Sequence, residues 1–146
     1  MRIRNLEQHD FQRLWQMDWS PLVKERDTIY LLIAVDHRET SFVAEEDGEW
    51  LGVLLSTRSA DGEACFVNHL YVMPQRRGRG IGSALVEHLK QECHRLGVRR
   101  IWLFCAAHNR RFYERLGFRE DYSFLEVPLA HHVKEVKRCL LMVNAP

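Results

Sequence analysis

Residues 72–97 read VMPQRRGRGIGSALVEHLKQECHRLG. The stretch joins the end of an apolar segment to a glycine-rich turn and then to an amphipathic helix. We predict the helix over residues 83–96, because apolar residues recur there at helical spacing while polar residues cover the other side. The apolar stripe consists of Ala84, Leu85, Leu89, Cys93 and Leu96. Gly97 occupies the position that favours a left-handed backbone after a helix, so the helix is predicted to end there.

The glycine-rich turn has the features of an anion site. Backbone N–H groups converge where such a turn opens a helix, and the helix dipole is positive at that end. The sequence lacks the GK[ST] of a P-loop, and Ser83 stands where a dinucleotide fingerprint needs its third glycine. The turn therefore indicates phosphate binding of another kind, and a flexible surface turn is the alternative.

The segments upstream of this stretch are mostly strand-like. Residues 64–73 are nearly continuously apolar, which is typical of a strand buried on both faces. Asp47-Gly48 is a tight-turn signal, so the flanking residues are predicted to form a hairpin. Its strands are residues 41–46 and 50–57. Near the N-terminus we predict a strand over residues 1–4, a helix capped by Asp10, and a second helical segment over residues 22–35.

The segments downstream alternate between strand and helix. Residues 100–105 are predicted as a strand and residues 110–116 as a short helix that Gly117 ends. Two closing strands are predicted over residues 118–127 and 138–144. Strands and helices are thus mixed along the chain, which predicts an α+β fold around one sheet.

The composition is that of a globular protein. The chain has 146 residues, of which 46% are hydrophobic, with 21 Lys or Arg against 20 Asp or Glu. We expect one domain over residues 1–146, and cytoplasmic localisation because no apolar run could cross a bilayer or act as a leader. The cysteines form no CxxC pair, so buried reduced thiols are expected, with neither disulfides nor zinc. They are Cys65, Cys93, Cys105 and Cys139.

The near-neutral sum of charges hides an uneven distribution. Residues 75–119 carry 11 basic and 3 acidic side chains, whereas residues 1–74 carry 7 basic and 13 acidic ones. The basic block coincides with the predicted anion site. We therefore expect a basic face toward an anionic cofactor and an acidic face toward a second substrate.

The stretch, followed by FYERLGF at residues 112–118, resembles the GNAT superfamily of acyl-CoA-dependent N-acetyltransferases. The pyrophosphate loop of that family reads Q/R-x-x-G-x-G/A, and both Gln75 to Gly80 and Arg77 to Gly82 match it. We favour the second register, since it places Gly82 in the first turn of the helix. The resemblance covers residues 64–118 and implies a mixed, mostly antiparallel central sheet of about six to seven strands flanked by about four helices.

The resemblance also implies the cosubstrate and its contacts. Acetyl-CoA would donate its acetyl group to a primary amine by direct attack in a ternary complex, with no metal. The pantetheine arm would pair with the end of the fourth strand, and the pyrophosphate would rest on the amides of the turn. The implied cofactor-binding residues are Leu70, Tyr71, Val72, Arg77, Gly78, Arg79, Gly80, Ile81, Gly82, Ser83, Asn109 and Phe112.

Some of these contacts have alternatives. A solvated basic turn would also account for the arginines at positions 76, 77 and 79. Many family members carry an asparagine seven residues before a conserved tyrosine, and that position is Ala106 here. Asn109 lies four residues before the tyrosine, and the simplest role for Asn109 is to cap the short helix.

Two residues are candidates for catalysis. Tyr113 matches the family tyrosine that returns a proton to the departing thiolate; a phenol of pKa about 10 is protonated at neutral pH, and a thiol of pKa about 8.5 leaves as its anion. His69, just before Leu70, is the candidate general base because its ordinary pKa suits neutral pH. The alternatives are an aromatic core residue for Tyr113 and a packed histidine for His69. An acyl-cysteine intermediate on Cys105 is disfavoured, since no histidine is evident as its partner.

The acceptor is not fixed by the sequence. Acceptor pockets of the family lie between the first helices, the third strand and the last hairpin, where aromatic and acidic residues here would suit a cationic small molecule. These residues are Trp15, Trp19, Tyr30, Asp18, Glu25 and Asp27. The alternative is that the aromatic residues are core and the acidic ones are solvated.

Other function classes stay open at this point. One is a non-catalytic acyl-CoA-binding sensor. Another is a nucleic-acid-binding module that uses the basic block, which is disfavoured because the 110–116 helix is committed to the FYERLGF pattern. Neither a nucleic acid nor a membrane is expected as a partner. An exposed C-terminal strand would allow pairing between subunits, so a homodimer is one expectation.

Overall fold

The computed structural model of the protein describes residues 1–19 and 27–146. These residues form a sheet of seven strands in the order β1-β2-β3-β4-β5-β7-β6. All neighbouring pairs are antiparallel except β4 and β5, which are parallel. The strands are β1 (Arg2–Asn5), β2 (Phe42–Glu46), β3 (Glu49–Arg58), β4 (Ala64–Val72), β5 (Arg100–Cys105), β6 (Arg119–Glu120) and β7 (Leu140–Asn144).

Five α-helices in the same described residues flank the sheet, so the α+β prediction is confirmed. They are α1 (Phe11–Gln16), α2 (Asp27–Asp36), α3 (Ile81–Leu96), α4 (Arg110–Arg115) and α5 (Val127–His131), and α5 continues into a π-helical turn at His132–Val136. None of the helices in the described residues is long and apolar enough to span a membrane.

The helices cover both faces of the sheet, and each face has its own hydrophobic cluster. Leu85, Leu89 and Cys93 of α3 are buried against one face, together with Ile101 and Leu103 of β5. On the other face, α1 and α2 cover β2 to β4 with a cluster that includes Trp19, Tyr30 and Ile33. A smaller cluster on β7 forms around Val133, Leu141 and Val143.

A β-bulge in β4 determines where the site opens. Leu55 of β3 pairs with His69 and the next residue, Ser56, pairs with Val67, so Asn68 is left as the extra residue. A bulge bends its strand and increases its twist. The parallel pairing of β4 with β5 extends only from Ala64 to Phe66, before the bulge. The two strands therefore separate beyond Phe66, and the edge of β4 that faces β5 is left open there.

Most predicted elements are present, with shifted ends. Asp47 and Gly48 have φ angles of 52° and 79°, as the predicted hairpin turn requires. Helix α3 begins at Ile81, two residues earlier than expected, because Gly80 adopts the left-handed conformation at its N-cap. Helix α2 begins at Asp27, and the remainder of the predicted 22–35 segment lies outside the described residues.

The predicted strand over residues 118–127 is wrong. Strand β6 contains only Arg119–Glu120. The Asp121 carboxylate then accepts the backbone N–H of Ser123 at 2.8 Å, a turn that competes with strand pairing. Pro128 next occupies the first turn of α5, where its missing N–H has no cost. Strand β7 is also not an exposed edge, because β5 and β6 pair with its two sides.

Asp10 does not cap α1 with its side chain. Its buried carboxylate instead accepts hydrogen bonds from the Glu7 amide at 2.8 Å and from Arg4 at 2.8 and 3.1 Å. Burial alone would raise the pKa of this carboxyl, but the hydrogen bonds and the Arg4 charge outweigh it and hold the pKa below its ordinary value. The network fastens β1 to the segment that leads into α1.

We expect Asp10→Asn to lower the free energy of unfolding by about 2 kcal/mol at neutral pH, because Arg4 would lose its ionic partner. A carboxyl with a depressed folded-state pKa stabilises the fold above its unfolded-state pKa and loses that effect as the pH falls through the folded-state value. The difference between wild type and variant in urea unfolding should therefore shrink below about pH 4. Arg2→Gln is the control, since Arg2 is 75% exposed and 4.0 Å from Glu45. A difference for Asp10→Asn that persisted unchanged at about pH 3 would contradict this account.

Candidate functional site

The open end between β4 and β5 forms a cleft of about 680 Å³. One wall is the end of β4, the floor is the glycine-rich loop with the start of α3, and the other wall is the segment around α4. The cleft is lined by Leu70, Tyr71, Val72, Arg77, Gly78, Gly80, Ile81, Gly82, Ser83, His108, Asn109, Phe112 and Tyr113. The structure thus brings the glycine loop and the FYERLGF segment to the same place.

The start of α3 supplies the donors of this floor. Gly80 is the N-cap, with φ 76° and ψ 11°, a left-handed conformation that glycine adopts without strain. The Ala84 amide bonds to the Gly80 carbonyl at 3.0 Å, which begins the helical ladder. The amides of Ile81, Gly82 and Ser83 precede that ladder, so they have no partner within the helix. Together with the helix dipole they make the floor attractive to an anion.

Gly82 keeps the cleft open. A Cβ atom at this position would lie 3.5 Å from Phe112 and 3.6 Å from Val72, so it would occupy the space between the two walls. The absence of a Cβ atom therefore leaves the space between β4 and α4 empty at this position.

The three loop arginines have different surroundings. Arg77 lines the cleft; its Nε donates to the Val72 carbonyl at 3.0 Å and its guanidinium lies 5.4 Å from the Tyr71 ring centre. Arg76 forms an exposed ion pair with Glu49 at 2.8 Å. Arg79 is not among the described residues that line the cleft. Of the three, Arg77 is the one that lines the cleft.

Tyr113 lies in the wall opposite β4. The side chain is buried, and its ring packs edge-on against Phe112 at 4.9 Å and Phe118 at 5.7 Å. Burial, with a smaller contribution from Cys105, raises the pKa of Tyr113 to about 12. The phenol therefore stays protonated at neutral pH, as a hydrogen-bond donor facing the cleft must.

His69 is not brought to the cleft. It lies on the opposite face of β4 from Leu70, 5% exposed, with its ring 5.5 Å from Trp19 and 5.8 Å from Tyr30. Trp19 and Tyr30, expected near an acceptor, are each 2% exposed and belong to the same core cluster. The packed alternative thus describes the surroundings of all three residues.

The segment before α4 differs from expectation in two ways. Asn109 is the N-cap residue of α4, yet its side chain makes no capping hydrogen bond, and the residue lines the cleft instead. His108 also lines the cleft, and sequence reasoning missed it. It occupies a 3-10 turn at Ala107–Asn109, where no spacing rule indicates which side chains face inward.

Cys105 ends β5 close to Tyr113. The side chain is 7% exposed, and burial is the largest cause that raises the pKa of its thiol to about 11. Such a thiol carries very little thiolate at neutral pH, so it is a poor nucleophile. Within the described residues, no group of three or more His, Cys, Asp or Glu side chains is arranged to hold a metal ion.

Comparison with known families matches residues 1–118 to the acetyltransferase (GNAT) family. The chain belongs to the GNAT family. An uncharacterized N-acetyltransferase of Methanocaldococcus jannaschii is 29% identical over 73% of this chain, and one of Bacillus subtilis is 31% identical over 62%. The matched segments make up 45% and 65% of those proteins, so the chain spans less than two thirds of either.

A solved structure shares the whole fold. The diaminobutyrate acetyltransferase of Paenibacillus lautus, solved with L-2,4-diaminobutyric acid and coenzyme A, gives a TM-score of 0.71 at 24% identity. The superposition covers 99% of this chain and 94% of that one. It confirms the sheet and its flanking helices as those of an acetyltransferase fold.

Proposed function

We propose that residues 1–146 act as one catalytic domain that transfers an acetyl group from acetyl-CoA to a primary amine. The observation that carries the proposal is the cleft itself, which joins an anion-binding helix start, an open strand edge and a buried tyrosine phenol. Support also comes from family membership and from two relatives that are named N-acetyltransferases. The P. lautus enzyme, which shares the fold, binds coenzyme A.

The residues present fit coenzyme A in chemical terms. The free amides at the start of α3 and the Arg77 guanidinium would hold the pyrophosphate, and the open edge of β4 at Leu70 to Val72 would pair with the amide groups of the pantetheine arm. Gly82 leaves room for that arm between the walls. When bound, acetyl-CoA supplies an activated thioester, which an amine can attack directly.

Tyr113 would assist the departing sulfur. A phenol of pKa about 12 is a weak acid. Full proton transfer to a thiolate of pKa about 8.5 would be uphill by roughly 3.5 units, or about 5 kcal/mol. We therefore propose that Tyr113 first donates a hydrogen bond as negative charge develops on sulfur, with proton transfer completing as the C–S bond breaks.

The acceptor must be neutral when it attacks. About one alkylamine molecule in a thousand is neutral near pH 7.4, so removal of its proton contributes up to about 4 kcal/mol to the barrier. His69 is buried outside the cleft, which favours a path through water molecules over direct contact with this histidine. The burial of Trp19 and Tyr30 likewise weakens the case for an acceptor held by cation–π contact with these two rings, and Glu25 lies outside the described residues.

Direct attack makes a specific prediction for Cys105. Because the raised pKa of its thiol makes it a poor nucleophile, we expect Cys105→Ala to keep its rate of acetyl transfer within about threefold of wild type. Intact-protein mass spectrometry of the wild type after acetyl-CoA alone should show no added acetyl group. An acetyl adduct on Cys105 that forms with acetyl-CoA alone, and is lost to the amine at the rate of turnover, would instead establish a covalent route.

The test of the proposed function is a thiol-release screen with acetyl-CoA against amino acids, peptide N-termini, polyamines, aminoglycosides and simple amines. Coenzyme A binding is measured in parallel by calorimetry. Thiol release above background with one acceptor class supports the enzyme. Release at background throughout, with coenzyme A still bound, would identify a non-catalytic acyl-CoA sensor.

A further inference from the structure

His108 lies at the rim of the cleft and has no role in the reaction proposed above. It belongs to the 3-10 turn at Ala107–Asn109 that leads into α4. His108 and Phe112 are four residues apart and both line the cleft, so they lie on the same side of this segment. His108 is exposed, Phe112 is partly buried and Tyr113 is buried. Exposure thus increases toward His108, which marks the solvent end of this wall.

The wall that carries His108 is close to the start of α3. A Cβ atom at Gly82 would lie 3.5 Å from the Phe112 ring, so the two sides of the cleft are separated by little more than one atom there. The Gly82 amide is one of those with no partner within the helix. Four helical residues span about 6 Å along the axis. His108 is therefore about one turn away from the amides that would hold the pyrophosphate.

The cleft offers cations and no carboxylates to a ligand. Among the described residues that line it, none is Asp or Glu. Arg77 and His108 are the two lining side chains that can carry a positive charge, and the other ionisable ones are the phenols of Tyr71 and Tyr113. Arg77 lies on the glycine-rich loop, whereas His108 lies before α4. With His108 protonated, an anion would meet a cationic side chain from each side.

The charged residues that follow His108 in the sequence do not line the cleft. The Arg110 guanidinium lies 3.7 Å from the Glu114 carboxylate and 3.4 Å from the Glu120 carboxylate. Arg111 is exposed. None of these four is among the described residues of the lining. His108 is thus the side chain through which this segment can bring positive charge into the cleft.

We propose that the His108 imidazolium binds a phosphate group of coenzyme A from the α4 side of the cleft, opposite Arg77. The proposal rests on the proposed function, because it assumes that the cleft holds this ligand. An imidazolium N–H donates a charge-assisted hydrogen bond to a phosphate oxygen, which is stronger than a bond from neutral imidazole. Imidazole side chains ordinarily lose their charge near pH 6.5. The contribution of His108 to affinity should therefore be lost as the pH rises above neutrality.

The test compares His108→Gln with wild type by calorimetry with coenzyme A. Gln keeps a polar side chain of similar size without a charge. We expect the dissociation constant to rise about tenfold at about pH 6 and less than about twofold at about pH 8.5, where the wild-type imidazole is largely neutral. Both proteins are compared at the same pH, so the ionisation of the phosphate groups themselves cancels.

A variant that keeps the charge should restore the contact at high pH. Lys carries its positive charge at both pH values. We therefore expect His108→Lys to bind coenzyme A at about pH 8.5 at least about threefold more tightly than His108→Gln. A second phosphate-free explanation, misfolding, is excluded by the far-ultraviolet spectrum and the unfolding midpoint of each variant.

His94→Gln is the matched control. His94 is an exposed histidine in the last turn of α3 and is not among the described residues that line the cleft. The substitution is chemically the same and removes the same charge. It should leave the dissociation constant of coenzyme A unchanged at both pH values.

A shorter ligand identifies which phosphate is bound. 3′-Dephospho-coenzyme A keeps the pyrophosphate and lacks the 3′-phosphate. If His108→Gln weakens both ligands by the same factor, the contact is with the pyrophosphate. If the variant weakens coenzyme A alone, the contact is with the 3′-phosphate. Either result supports a phosphate contact.

The outcomes separate this inference from the proposed function. Equal dissociation constants for wild type and His108→Gln at about pH 6 would overturn the inference while the acetyltransferase stands. A loss of the same size at both pH values would also overturn it, because the charge would then not be responsible. Absence of thiol release with every amine, with the effect of His108 on binding still present, would overturn the enzyme and leave the phosphate contact. Failure of the wild type to bind coenzyme A would refute both.

Discussion

Gly80→Asp should raise the dissociation constant of coenzyme A by about a hundredfold or more, because it introduces a carboxylate among the amides that would hold the pyrophosphate. A Cβ atom at Gly80 would meet nothing within 4 Å, so the substitution causes no steric clash. The φ of 76° adds some backbone strain, although Asp tolerates the left-handed region better than most residues. Isothermal titration calorimetry with coenzyme A measures the change.

Two control variants separate charge from strain. Gly80→Asn has nearly the shape of Asp at the same φ but no charge, so we expect it to lose less than about tenfold in affinity. Gly97→Asp places the same side chain in the same backbone conformation at the far end of α3, where φ is 77° and a Cβ atom again meets nothing within 4 Å. It should cost stability without changing coenzyme A affinity. Equal dissociation constants for wild type and Gly80→Asp would remove the phosphate-loop assignment.

The sequence was sufficient to predict the elements whose structure depends on neighbouring residues. Asp47-Gly48 gives the β2–β3 turn because both residues accept positive φ, and Gly97 ends α3 for the same reason. The apolar stripe of α3 is buried as its spacing predicts. The turn and the helix end each depend on a few neighbouring residues, and the stripe depends on spacing within one helix. The sequence alone is therefore sufficient to predict them.

Features that depend on pairing between segments far apart in the sequence could not be predicted from neighbouring residues. The bulge at Asn68 becomes visible only when β3 and β4 are paired, yet it decides where β4 leaves β5. The face of β4 on which His69 lies likewise depends on which helices cover each side. Eleven of the twelve implied cofactor residues line the cleft, but they were inferred from the family motif and not from the local pattern.

The distribution of charged residues along the sequence also predicted only part of the electrostatics of the cleft. Several cations of the basic block are held by neighbouring carboxylates, as in the pairs of Arg76 with Glu49 and Arg95 with Glu92. Such pairs cancel much of the field that the segment would otherwise exert. The basic block therefore contributes less charge to the cleft than its count suggests, and Arg77 is the loop arginine that lines it.

Tyr113→Phe should lower kcat by about a hundredfold while the dissociation constant of coenzyme A changes less than about twofold. The variant keeps the ring that packs against Phe112 and Phe118, so only the hydroxyl group is lost. Tyr122→Phe is the matched control, because the Tyr122 hydroxyl bonds to Glu120 and to the Leu141 amide outside the cleft. That control should retain its kcat, and steady-state thiol release together with calorimetry measures both quantities.

The pH dependence tests the same assignment from another direction. Because burial raises the pKa of Tyr113 to about 12, the phenol remains protonated well beyond neutral pH. The ratio of wild-type to Tyr113→Phe rates should therefore stay constant from about pH 7 to about pH 10.5, even as both rates rise with deprotonation of the amine. A ratio that fell to unity as the pH approached 10 would mean that the phenol ionises at its ordinary pKa and is not buried as the structure shows. A ratio near unity at every pH would mean that the hydroxyl group takes no part in the reaction, and Tyr113 would then be a core residue of α4.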